Sequence, residues 1–399
     1  MSVSIRGERL VITLLGNRNA GKSSLINAIV GQEIAIVSDT PGTTTDPVDK
    51  RYELIPIGPV TFYDTAGLDD EGELGQKRVK ATLKVLFRTD MAVLVNDGSP
   101  FNPKERETIA RVKEMEIPLL VVFNKGDLGV PATTNIEFCS NHSLRHIIVS
   151  SSNQEHIEEL KELLIELAPL HLKQEKVLVG DLIKAGDKII LVTPIDKSAP
   201  KGRMILPQVQ VLRDLLDYNA VVTFAKETEL ALALEALKEP PALVVTDSQA
   251  IELVAKIVPL DVPLTTFSIL FARYKGELEI LAQGVRQIDH LQPGDKVLIA
   301  EACSHHVQDD DIGKYKLPRW IEKYLGFELV FESAQGHDFP DNLEDYKLVI
   351  HCGACMLNQA EMGRRIMEAH RRHVPISNYG LAITKVQGVF ERCVQVYGI

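Results

Sequence analysis

Leu10-Val11-Ile12-Thr13-Leu14-Leu15-Gly16-Asn17-Arg18-Asn19-Ala20-Gly21-Lys22-Ser23 is the stretch on which the fold turns. Residues 10–15 read as a buried strand and Ser24 to Ile29 as the start of a helix. Between them stands G-x-x-x-x-G-K-S, a P-loop in the strand–loop–helix setting that the motif requires. The chemistry needs these residue types: glycines let backbone N–H groups curl around phosphate, Lys22 neutralises the β and γ oxygens, and Ser23 can bind Mg²⁺. Gly16, Asn17, Asn19, Ala20, Gly21, Lys22, Ser23 and Ser24 are therefore the expected phosphate cradle. A chance glycine turn in this setting is improbable.

Working outward, Val121-Val122-Phe123 ends in Asn124-Lys125-Gly126-Asp127, which resembles the N-K-x-D element of GTPases, where the aspartate accepts from guanine N1 and N2. Adenine offers no such donor pair. Asp64-Thr65-Ala66-Gly67 is similar to the D-x-x-G element that reaches Mg²⁺ and senses the γ-phosphate. Ser150 and Ser151, in Ser150-Ser151-Ser152, stand where that family closes its guanine pocket. Leu68 follows D-T-A-G, so the water-orienting glutamine of Ras-like enzymes is missing and intrinsic hydrolysis is expected to be slow. Asn19, with Gly42-Thr43-Thr44-Thr45-Asp46, resembles the TrmE/Era branch of translation-factor-type GTPases. That resemblance implies K⁺ held by Asn19 and Mg²⁺ held by Thr44 with Ser23. The residues expected to carry hydrolysis are Lys22, Ser23, Thr44, Asp64 and Gly67, while Glu71 and Glu73 read as a solvated acidic loop.

The 399-residue length suggests three domains, at 1–170, 175–265 and 270–399. Acidic residues outnumber basic ones, 55 to 44, which argues against an overall nucleic-acid-binding surface. No apolar run approaches the length of a membrane span, and no basic segment leads into an apolar one at the start, so a cytoplasmic protein is expected. Five cysteines are too few for a disulfide scaffold. Residues 188–267 alternate strands and helices, the pattern of a parallel sheet with crossovers, and carry no cluster that resembles a site. Such a small module leaves sheet edges open, so edge-to-edge dimerisation is expected. A helical connector, 271–288, leads to the last domain. The expected fold class is α/β throughout.

In that domain, strands at 296–302, 328–331 and 347–350 end near Cys303-Ser304-His305-His306 and His351-Cys352-Gly353-Ala354-Cys355. Ligands gather beyond the carboxyl ends of parallel strands. Three soft thiolates, Cys303, Cys352 and Cys355, suit an iron–sulfur cluster or zinc. The long gap between C-x-H and H-C-x-x-C disfavours two close zinc pairs, and three cysteines suggest a [4Fe-4S] cluster with one open position. His305, His306 and His351 are either a labile fourth ligand or donors that hold the thiolates. Cys139 and Cys393 read as packed thiols.

In this order, the TrmE/Era-like front, the middle module and a tail with C-x-H and H-C-x-x-C resemble the HydF-type maturation GTPases of [FeFe]-hydrogenase, over essentially the whole chain. The resemblance implies a carrier that binds a [4Fe-4S] cluster through Cys303, Cys352 and Cys355 and accepts a transient diiron precursor. It implies delivery of that precursor to apo-[FeFe]-hydrogenase, with the two radical-SAM maturases, of HydE and HydG type, as further partners. GTP hydrolysis is then a switch on partner contacts. Two other readings stand beside it: an Era-like ribosome or RNA assembly GTPase with a structural zinc, and a redox enzyme using Cys352 and Cys355 as a disulfide pair. The first lacks a basic, aromatic-interleaved stretch, and the second needs neither Cys303 nor the histidines.

Overall fold

The computed structural model describes residues 9–31, 48–65, 67–68, 85–169, 177–194, 204–301, 312–336, 339–340, 342–353 and 359–399. They fall into two compact units, Met1–Glu175 and Lys176–Ile399. Among the described residues no helix is long and apolar enough to cross a membrane.

The first unit is built on β1 (Leu10–Leu15), β2 (Val48–Leu54), β3 (Gly58–Asp64), β4 (Met91–Asn96), β5 (Leu119–Phe123) and β6 (Arg145–Ile148), in the order β2-β3-β1-β4-β5-β6. All pairs are parallel except β2 on β3. Every residue of β1 and β4 is buried, Thr13 and Asn96 included, as in largely apolar strands covered on both faces. The two-residue period splits them between two cores: Met91, Val93 and Val95 enter one, Ala92 and Leu94 the other. Helices α1 (Lys22–Val30), α2 (Pro103–Glu114), α3 (Thr133–Asn141) and α4 (Ile157–Leu167) cover these faces. Leu25 and Ile26 of α1 and Leu160 and Leu164 of α4 fill the first core; Ile109 and Val112 of α2 and Cys139 of α3 fill the second. Each such side chain, fully buried, contributes about 1.5–3 kcal/mol of transfer free energy.

The second unit holds two parallel four-stranded sheets. In the first, β7 (Lys188–Val192), β8 (Val221–Ala225), β9 (Leu243–Thr246) and β10 (Leu264–Thr266) run in the order β10-β9-β7-β8, with α5 (Leu206–Asp217), α6 (Leu230–Glu235) and α7 (Ile251–Ile257) as crossovers. The expected connector over 271–288 is instead two helices, α8 (Phe267–Lys275) and α9 (Leu278–Arg286). The chain breaks at Gly276, where the backbone is extended and a Cβ would stand 2.8 Å from Ile366 Cδ1. In the second sheet β11 (Lys296–Glu301), β12 (Val330–Gln335), β13 (Leu348–His351) and β14 (Ile376–Asn378) run in the order β12-β11-β13-β14. The strand expected over 328–331 starts two residues later and runs to Gln335. Helices α10 (Leu317–Leu325), α11 (Gln359–Arg371), α12 (Tyr379–Val386) and α13 (Phe390–Val394) complete it.

One buried cluster joins Ile190, Val192 and Val244 of the first of these sheets to Val297, Leu298, Val349 and Ile350 of the second. Polar contacts reinforce it. Arg392 of α13 donates to the carbonyls of Ala255, Val258, Pro259 and Val262, at 3.1, 3.1, 2.5 and 3.3 Å, and the hydroxyls of Thr265 and Tyr397 meet at 2.9 Å.

Candidate functional site

In the first unit, the chain leaves β1 through a loop that only glycine can make at two points. Gly16 has φ +143°, and a Cβ there would lie 2.1 Å from Val95 O; Gly21 has φ +93°, and a Cβ would lie 2.2 Å from Asn124 Nδ2. Gly21 caps α1, so the helix's first N–H groups open toward the loop. Lys22 is buried and folds back over the loop, donating to Gly16 O at 3.0 Å and Asn17 O at 2.8 Å. Its ammonium thus stands inside the curve of backbone that a phosphate would enter. Asn19 is exposed with φ 60°. Ser23 Oγ hydrogen-bonds the Asp64 carboxylate directly, so the two oxygens expected to serve Mg²⁺ already meet. Leu68 N donates to Gly16 O at 3.2 Å, and the Leu68 side chain is 3% exposed in the core. That position therefore does not present a group to an attacking water. Thr44, Glu71 and Glu73 lie outside the described residues.

Beyond the loop is a cleft of about 650 Å³ lined by Gly21, Ser24, Asn124, Lys125, Asp127 and Ser151, among others. Asn124 follows β5 and ties its walls together. Its Nδ2 donates to Ala20 O at 3.3 Å, and its Oδ1 accepts from Ser151 N at 3.1 Å. Asp127 accepts from Ser150 Oγ at 2.6 Å, and that hydrogen bond holds its carboxyl below the usual range. An ionised, exposed carboxylate thereby lines the cleft. Ser150 is buried and positions Asp127, while Ser151 and Ser152 line the cleft itself.

Three residues here escaped the sequence reading. Asn102 Nδ2 donates to Asn17 Oδ1 at 3.1 Å, so the start of α2 props the P-loop. Asn102 and Glu105 form a capping box, and buried Glu105 also accepts from Asn96 Nδ2 at 3.0 Å. The signal was present as Asn102-Pro103-Lys104-Glu105, an N-cap, a proline and a glutamate three residues on.

In the second unit, β11 and β13 are neighbours, with Ala300 opposite His351, and Cys352 N donates to Ala300 O at 2.8 Å. Both cysteine-bearing stretches therefore begin at the carboxyl edge of adjacent parallel strands: Cys303 comes two residues after the end of β11, and Cys352 one after β13. Cys303, His305, His306 and Cys355 lie outside the described residues, and among the described residues alone no metal-holding cluster occurs. Among the described residues this topology brings the thiol-bearing Cys352 to that edge, and a soft sulfur donor there fits an iron–sulfur cluster. His351 is fully buried, with Nδ1 2.9 Å from Cys352 O and Nε2 2.8 Å from Arg365 Nη1. Burial first, and then the Arg365 charge, push its pKa down to about 3.

Comparison with known proteins follows the same partition. A model described as the Hydrogen maturase F dimerization domain matches residues 178–276, and one described as the Hydrogen maturase F tetramerization domain matches 279–396. Together they span more than half of the chain. The chain belongs to the hydrogen maturase F family. The boundary between the two matches falls at the Gly276 break between α8 and α9. A third model, described as 50S ribosome-binding GTPase, matches 11–125.

Among curated relatives, the tRNA modification GTPase MnmE of Prochlorococcus marinus (strain NATL1A) is 44% identical over 120 residues, 30% of this chain and 26% of that protein. GTPase Era of Alkaliphilus oremlandii (strain OhILAs) is 26% identical over 247 residues, 56% of this chain and 80% of that one. The hydrogen maturase F chain thus spans about a quarter of the first of these relatives. A solved structure of Aquifex aeolicus Era bound to GDP and aluminium fluoride covers 54% of this chain and 91% of its own at 19% identity, with a TM-score of 0.33, too low for further inference.

Proposed function

We propose that this hydrogen maturase F chain is a GTP-hydrolysing scaffold: it holds a [4Fe-4S] cluster, accepts a diiron precursor as cargo and delivers it to apo-[FeFe]-hydrogenase. The single observation that carries this reading is the pairing, in one chain, of a complete P-loop and guanine pocket with two hydrogen maturase F domain matches over the remainder. Lys22 and the loop N–H groups would hold the phosphates, Ser23, Asp64 and Thr44 the Mg²⁺, and Asp127 the guanine. Asn19 would hold K⁺ beside the phosphates. Turnover that is the same in Na⁺ and K⁺ at matched ionic strength would remove that last role. Cys303, Cys352 and Cys355 would hold the cluster, whose open iron position supplies a place for cargo to attach and leave. The radical-SAM maturases and the hydrogenase are the proposed partners.

The division into domains at 1–170, 175–265 and 270–399 follows from the same reading. So does dimerisation through the middle one: β8 is an edge strand whose Val221 and Phe224 are 57% and 39% exposed. The 279–396 match, described as a tetramerization domain, supports a second contact between copies in the last domain, which the sequence reading did not include. An Era-like ribosome assembly role rests on 26% identity to GTPase Era over 56% of the chain and on the GTPase match to residues 11–125. Anaerobic reconstitution tests the proposal: iron and sulfide bound by the chain and lost in Cys352→Ala support it, and stoichiometric zinc in their place rejects it.

A further inference from the structure

The carboxyl edge of the β12-β11-β13-β14 sheet carries a buried polar group that the cluster reading leaves unused. Arg365, on α11, is 1% exposed and pairs with Glu361, 2% exposed, at 2.8 Å. The same guanidinium donates to Gly336 O, just past β12, at 2.9 Å and stands over the Phe339 ring at 5.3 Å. Its other nitrogen meets His351 Nε2 at 2.8 Å. A guanidinium has only donors, so Nε2 must accept. The ring proton then sits on Nδ1, which donates to Cys352 O at 2.9 Å.

This arrangement acts on Cys352 from both sides. Its N–H is fixed to Ala300 O at 2.8 Å and its carbonyl to His351 Nδ1, so both flanking peptide planes, and with them the direction of the Cα–Cβ bond, are set. The neighbouring strand exit is held in a similar way. Buried Glu301, the last residue of β11, accepts from Tyr379 Oη at 3.1 Å and Gln335 Nε2 at 3.3 Å. A Cβ on Gly313 would lie 2.0 Å from Tyr379 Oη and 2.5 Å from Glu301 Oε1, so the Gly313 backbone packs closely against the same carboxylate.

We infer that His351 is a positioning residue: held as the neutral Nδ1–H tautomer by the Arg365–Glu361 pair, it aims Cys352 at the cluster and does not itself bond iron. Its one lone pair is spent on Arg365, and an iron bond would require that clamp to open. This rests on the cluster reading above, and the test separates the two.

In the apo chain with ¹⁵N-labelled histidine, long-range ¹H–¹⁵N correlation is expected to show His351 as Nδ1–H, and to lose that fixed signature in Arg365→Met combined with Glu361→Leu, which leaves no lone buried carboxylate. An Nε2–H or doubly protonated His351 overturns the inference, whether or not a cluster forms. In the reconstituted, reduced chain, His351→Asn keeps a donor near Cys352 O but no Arg365 acceptor. It and the Arg365/Glu361 variant are expected to weaken cluster retention against a chelator by about 10- to 100-fold, the usual effect of removing a group that orients a metal ligand. Nitrogen hyperfine couplings are expected to be unchanged from the parent in both. A strong nitrogen coupling present in the parent and lost only in His351→Asn overturns the inference. If the parent binds no iron, the scaffold proposal falls, and the apo measurement still decides the tautomer and the clamp.

Discussion

At the scale of single residues, Asp127 is the group proposed to select the base that enters the cleft. Ser150 keeps it ionised and pointed inward, so its two oxygens are acceptors only. Asp127→Asn replaces one acceptor by a donor, and GTP affinity by calorimetry should fall about 100-fold, while a base with a carbonyl at that edge should gain. The cysteines divide by burial in the same legible way. Cys139 and Cys393 are fully buried in apolar cores, which pushes their thiols up to about 11 and about 12. At pH 8 both remain protonated, and because the thiolate is the nucleophile, native iodoacetamide treatment followed by mass spectrometry should leave both unlabelled. Labelling of either in the folded chain would show that its core opens. By contrast, the role of His351 was not legible: H-C-x-x-C marks a metal motif, but which ring nitrogen is engaged depends on Arg365, fourteen residues on and on another element. Arg364 and Arg365 stand side by side in sequence, yet only the second is fully buried.

At the scale of elements, strands were readable where burial on both faces leaves a nearly continuous apolar run, as in β1, interrupted only by Thr13; β4, equally buried, was passed over because no motif drew attention to it. They were less readable in β12, where Val330 and Phe331 give way to Glu332, Ser333 and Gln335 in an edge strand of mixed burial, so the apolar run ends too early. The break at Gly276 had a local signal, Arg273 and Lys275 in the last turn of α8 followed by a glycine cap, which the reading of one continuous connector passed over. The cap of α2 was readable and matters twice, since Asn102 closes the helix and props Asn17. Asn102→Ala should lower stability by about 1 kcal/mol in denaturant unfolding. It should also weaken nucleotide binding; an unchanged affinity would show that the Asn17 contact is incidental. The β8 edge carries a prediction of its own. Phe224→Glu places a charge among exposed apolar residues of that edge, and light scattering should then give a smaller assembly than the parent. An unchanged mass would move the dimer contact elsewhere.

At the scale of the whole molecule, the proposed nucleotide site and the Cys352 edge occupy separate compact units of one chain, each at the carboxyl ends of the parallel strands of its own sheet. Geometry alone explains why the P-loop identified the first so readily: its glycines and lysine are consecutive. The second is assembled from stretches almost fifty residues apart, and only the strand pairing of β11 with β13 shows that they share an edge. Anaerobic reconstitution with iron and sulfide, followed by metal analysis and electron paramagnetic resonance of the reduced chain, tests the cluster reading most directly. About four irons per chain and a reduced-cluster signal are expected, both lost in Cys303→Ala, Cys352→Ala and Cys355→Ala and retained in Cys139→Ala. Equal iron in all four variants, or zinc in place of iron, would contradict a cluster-carrying GTPase.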